Sequence, residues 1–132
     1  MNIIVLSGKN SCGKTTTLNI VYDTLILQGA SSTNKVQEGG DKNDFSDIID
    51  WKNKKIAFYT VGDFSYAVID VVVKYLNLNC DTLVCACNNR FVKPYKEFAK
   101  YNSTIINKTI TTTSTDKQVK NNNDARTILN LI

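Results

Sequence analysis

The sequence predicts an α/β fold on a small, mainly parallel sheet of four or five strands. Three observations carry this. Short apolar runs suited to buried strands recur at Asn2–Leu6, Lys55–Thr60 and Thr82–Cys87. Stretches with apolar residues at helical spacing lie between them. Strands that alternate with helices close most simply into parallel pairs joined by right-handed crossovers. The chain has 132 residues, enough to bury a core without disulfides or metals, and it reads as one domain over residues 1–132.

In chain order, Asn2–Leu6 is the first strand and Gly8 ends it. A helix follows from Lys14 to Gln28, with Leu18, Val21, Tyr22 and Leu25 on one face and Gly29 as its stop. Residues 30–44 are polar and turn-rich, a loop with at most a short strand near 34–37, and 44–51 reads as a short helical turn. Lys55–Thr60 is the second strand, broken by Val61-Gly62-Asp63 and followed by a helix from Phe64 to Leu78. Thr82–Cys87 is a strand, and Lys93–Tyr101 a helix with Pro94 in its first turn. Ser103–Thr111 is Ile- and Thr-rich, hence a strand, and the Asn121–Asp124 run supplies caps for a last helix, Ala125–Leu131.

Composition excludes several classes. The net charge is +4, with 14 lysines spread along the chain and two arginines, Arg90 and Arg126. No cluster of basic residues marks a nucleic-acid face, so no nucleic acid is expected as a partner. There is no histidine, which removes a histidine general base. The four cysteines (Cys12, Cys80, Cys85 and Cys87) form no C-x-x-C pair, and zinc is not expected. The first residues lack the basic start of a signal peptide and no apolar run is long enough to span a bilayer, so the chain is expected to be cytoplasmic and off the membrane.

Gly8–Thr15, "GKNSCGKT", matches G-x-x-x-x-G-K-[ST] between a strand and a helix. With Gly at about 7% of residues, chance gives this match in well under about one chain in a hundred. The residue types suit a phosphate cradle. Gly8 and Gly13 permit close backbone approach, and successive N–H groups of Asn10, Ser11, Cys12, Gly13 and Thr16 can converge on an anion at a helix N-terminus. Lys14 is placed for the β- and γ-phosphates, and the Thr15 hydroxyl for Mg. The segment resembles the P-loop NTPase superfamily, which implies a three-layer P-loop NTPase-like fold, a nucleoside triphosphate ligand (ATP by default) and Mg. Over the first strand and helix it looks like the ParA/MinD group of dimerising ATPases. Lys9 stands where that group has a lysine reaching a partner's nucleotide, which implies a homodimer or a protein partner. Asn10 and Ser11 replace that group's two glycines. A solvent-facing loop lysine is the other reading of Lys9.

Further site candidates follow from the strand ends, where such sheets bind ligands. Thr60 or Tyr59 takes the place where P-loop hydrolases carry an acidic metal ligand. "YTVGD" is similar to the "DTAGQ" turn of Ras-like GTPases, which implies that Gly62 meets the γ-phosphate and Asp63 holds water or Mg. Asp63 as N-cap of the next helix is the alternative. Asp44, Asp47 and Asp50 are surface or cap residues unless the 30–44 loop brings one to the metal. Arg90 is either a transition-state cation or a surface residue. "INKTI" has Asn107 and Lys108 of the guanine-reading N-K-x-D motif, but Ile110 replaces its Asp, so guanine is not indicated. An Mg-dependent NTPase or nucleotide switch, a small-molecule or nucleotide kinase, and a non-catalytic nucleotide-binding module all fit these residues.

Overall fold

A computed structural model describes residues 1–132. In chain order the elements are β1 (Asn2–Gly8), α1 (Lys14–Leu27), β2 (Ser31–Ser32), β3 (Val36–Gln37), β4 (Phe45–Trp51), β5 (Lys54–Tyr59), α2 (Ser65–Asn77), β6 (Thr82–Asn88), α3 (Lys93–Phe98), β7 (Asn102–Asn107) and α4 (Ser114–Leu129). The class is α/β. The expected four- or five-stranded, mainly parallel sheet is corrected: the sheet has seven strands and is mixed, in the order β2-β4-β5-β6-β1-β7, with β3 also on β4. The pairs β5–β6, β6–β1 and β1–β7 are parallel, whereas β4 pairs antiparallel with β5, β2 and β3.

The reason lies in residues 44–54. "FSDIIDW" is a strand and not a helical turn, and it turns back into β5 through Lys52 and Asn53, both at positive φ (50° and 64°). Two successive positive-φ residues make the two-residue hairpin turn whose twist matches antiparallel strands. Asn tolerates that conformation, and its side chain takes the place of the more familiar glycine signal. Hairpin closure turns the segment before β5 into sheet.

The sheet is covered on both faces. On one side Leu18, Val21 and Leu25 of α1 and Ala125 and Ile128 of α4 pack on Ile4, Leu6 and Phe58. On the other, Val68, Val72 and Tyr75 of α2 and Phe98 of α3 pack on Ile3, Val5 and Cys85. Alternate residues of β1 thus enter opposite cores, as strand geometry requires, and each large side chain so buried contributes about 1.5–3 kcal/mol. α4 begins well before the expected Ala125. Thr113 caps it by accepting from the Asp116 N–H at 3.2 Å, and the Asn121–Asp124 run lies inside the helix.

One polar clamp holds the irregular 31–36 segment. The buried Asp47 carboxylate accepts from Tyr22 Oη (2.7 Å), Ser32 Oγ, and the N–H groups of Asn34 and Ile48. Lys35 lies over the Tyr22 and Phe45 rings at 4.6 and 4.5 Å from the centroids, a favourable cation–π placement.

The cysteines carry a testable consequence. Desolvation drives the Cys85 thiol up from its ordinary range, and drives Cys87 up to about 11 from 9.0. Both thiols stay protonated in the folded state at pH values where the unfolded chain ionises them. The unfolded state then binds fewer protons, so stability falls as pH rises. Thermal denaturation is expected to show a Tm that declines as pH rises from about 9 through about 11. At pH 8 a thiol reagent should label half-buried Cys12 well before Cys80, Cys85 and Cys87, which are all buried. Equal labelling rates in the folded protein would contradict this packing.

Candidate functional site

The carboxyl end of β1 runs into the glycine-rich loop. The chain takes left-handed conformations at Ser11 (φ 58°) and Gly13 (φ 97°), and Gly13 is the N-cap of α1. The loop is folded tightly. A Cβ on Gly8 would stand 2.7 Å from Cys12 Sγ and 3.1 Å from Lys108 Cβ. Lys14 is buried and its ammonium donates to the carbonyls of Gly8 (3.0 Å) and Lys9 (2.6 Å). The α1 N-terminus carries no acidic residue in its first turn and no side-chain cap, which leaves a region of positive potential beside the Lys14 charge.

A buried carboxylate from the segment before β4 meets both the end of β5 and the start of α1. Thr15 Oγ1 donates to Asp44 Oδ1 at 2.8 Å, and Thr60 Oγ1 donates to the same oxygen at 2.7 Å. Asp44 is only 7% exposed. It immediately precedes β4, and the antiparallel β4–β5 pairing sets it beside Thr60: the Phe45 N–H donates to Thr60 Oγ1 (2.9 Å) and the Thr60 N–H to the Phe45 carbonyl (3.1 Å). Asn19 steadies the same turn by donating to the Asn43 and Thr15 carbonyls. Asp44 is therefore neither a surface nor a cap residue.

Around this contact lies a cleft of about 500 Å³. Lys14, Thr15, Asp44, Thr60, Gly62 and Asp63 line it, together with Ser11, Gly13 and Thr16 of the loop and the Gly39–Asp41 turn. The structure thus brings Lys14, Thr15, Gly62 and Asp63 to one cavity. Asp63 is exposed and does not cap α2, whose N-cap is Phe64 with no side-chain hydrogen bond. Gly62 has a packing reason of its own. A Cβ there would stand 2.8 Å from the Ala86 carbonyl carbon and 2.9 Å from the Cys87 nitrogen, so only glycine lets this turn lie against β6.

Other candidates lie apart. Arg90 is exposed and lines neither cleft beside the loop; its N–H donates to Asn88 Oδ1 at 2.9 Å. Asn10 accepts from Asn88 Nδ2 at 2.8 Å, which ties the loop to the end of β6. Lys9 is exposed and, with Cys12, borders a second cleft of about 300 Å³ on the other side of the loop. There Lys108, almost fully buried, pairs with Asp124 of α4 at 3.0 Å. Asp124 also accepts from the N–H (3.0 Å) and hydroxyl (2.9 Å) of Thr109. Both carboxylate oxygens are thereby engaged within the protein.

No group of three or more His, Cys, Asp or Glu side chains is placed to hold a metal by itself. No helix is long and apolar enough to cross a membrane. Comparison with family models, with curated proteins and with solved structures gives no match for this chain.

Proposed function

We propose that this chain binds a magnesium–nucleoside triphosphate, with ATP as the first ligand to test, and hydrolyses it as a small NTPase or nucleotide switch. One observation carries the reading most strongly: Thr15, next to the Lys14 of the loop, shares a hydrogen bond with a buried carboxylate on the wall of a cleft. In this reading the loop N–H groups and Lys14 receive the phosphates. Lys14 then exchanges the Gly8 and Lys9 carbonyls for phosphate oxygens.

The residues fit Mg. It takes hard oxygen ligands and is commonly held by one or two carboxylates plus substrate phosphates. Thr15 Oγ1 and the Asp44 carboxylate are two such donors, already 2.8 Å apart. When bound, the ion would neutralise charge on the phosphate oxygens. In this reading Asp63, exposed on the cleft wall, would orient an attacking water. Gly39, Gly40 and Phe64 also line the cleft, and transfer to an acceptor other than water, as in a kinase, is the second reading.

The experiment is incubation with Mg–ATP, chromatography of the nucleotides, and equilibrium binding in parallel, with Lys14→Ala as control. ADP and free phosphate are expected from the wild type, with turnover and binding reduced at least about 100-fold in the variant. Binding without turnover, restored by an acceptor, would replace hydrolysis by phosphoryl transfer. No binding of ATP by the wild type would overturn the reading.

A further inference from the structure

The two clefts beside the loop share Ser11, Gly13 and Thr16 on their walls. A triphosphate seated in the first, as proposed above, abuts the second across that shared wall, and a sugar that extends over the wall reaches it. The chemistry of that second cleft is specific. Lys9, Thr16, Lys108, Thr109, Lys117 and Asn121 line it, and its lining includes no carboxylate and no aromatic ring. The Lys108 charge is cancelled by Asp124. The Lys9 and Lys117 side chains are exposed and in no ion pair. Asn121 is fixed against the loop, since its Oδ1 accepts from Thr17 at 3.3 Å and stands 2.8 Å from where a Gly13 Cβ would be.

A cleft that recognised a nucleobase would offer it an apolar or aromatic wall. This one offers two free ammonium groups and several hydroxyl and amide groups, the donors that bind phosphate oxygens most strongly when charged. We infer that the second cleft is an anion subsite, and that the ligand is a nucleotide carrying a further phosphate on its sugar beside the 5′-triphosphate. The base is then read weakly and the ligand is selected by charge at both ends. This rests on the triphosphate reading of the first cleft.

The test compares the affinities of tripolyphosphate, ATP and adenosine 3′-phosphate 5′-triphosphate, each with Mg, at 0.15 M ionic strength where distant surface charges are screened. The 3′-phosphorylated compound is expected to bind at least tenfold more tightly than ATP. Lys117→Ala is expected to remove most of that gain and leave tripolyphosphate affinity within twofold. Equal affinity for ATP and the 3′-phosphorylated compound would overturn the anion subsite while the first cleft stood. A gain that survives Lys117→Ala would also overturn it. Failure of tripolyphosphate to bind would remove the triphosphate reading itself, and this inference with it.

Discussion

Asp44→Asn is expected to lower kcat/KM for Mg–ATP by at least about 100-fold, in the range seen when a group that stabilises developing transition-state charge is lost. The substitution keeps the shape of the side chain. Its amide oxygen still accepts the hydroxyls of Thr15 and Thr60, both of which now meet a single carboxylate oxygen. What it removes is the negative charge, the property a divalent cation needs and a hydrogen bond does not. The fold should therefore survive, with Tm within a few degrees of the wild type, while the Mg concentration needed for half-maximal activity rises. Steady-state kinetics across a Mg titration measures both effects. Activity within threefold of wild type at every Mg concentration would mean that Asp44 is only a structural clamp, and the metal would then have to be held by the exposed Asp63 or Asp41 on the same cleft wall.

The legibility of this residue differs sharply from that of the loop. Gly8–Thr15 announces itself because its requirements are local: fixed residue types at fixed spacing between a strand and a helix. Asp44 meets Thr15 across 29 positions of chain. The contact exists only once β4 has paired with β5. That pairing was obscured because its turn, Lys52-Asn53, has no glycine, and because "FSDIIDW" carries two Asp residues that resemble helix caps. Thr60 did leave a trace. A hydroxyl at the strand end where a carboxylate is expected is a reason to ask which neighbouring strand supplies the charge. The parallel strands β1, β5 and β6, by contrast, are readable from their apolar runs, since strands buried on both faces need no polar alternation; the exposed edge strand β7 shows only in its Ile and Thr content. α4 was mostly invisible. Its first turns are polar, and the Asn run that suggested a start lies mid-helix, where packing of Ala125 and Ile128 on α1 overrides weak local propensity.

Asp124→Asn is expected to be the most destabilising of the conservative changes considered, by about 3–5 kcal/mol, because it strands a buried ammonium. Lys108 has a side chain 1% exposed, and its only carboxylate partner is Asp124 at 3.0 Å. Desolvating such a charge is tolerable only while its counter-charge is present. The pair also joins elements far apart in sequence: the Lys108 N–H donates to the Ser7 carbonyl at 2.7 Å, and Asp124 holds both donors of Thr109. Losing it should loosen the floor of the glycine-rich loop, since Lys108 Cβ lies only 3.1 Å from where a Gly8 Cβ would stand. For a domain of this size the loss corresponds to a Tm lowered by roughly 10–20 °C. Removing both charges separates electrostatics from packing. The double substitution Lys108→Met with Asp124→Asn should recover most of the stability, because it leaves no uncompensated charge behind while the Asn carbonyl still accepts from Thr109. Denaturant unfolding of the three proteins decides the matter. If Asp124→Asn cost under about 1 kcal/mol, the ammonium would have to reach water without its partner, and the buried pair would not be what anchors the β7–α4 turn beneath the loop.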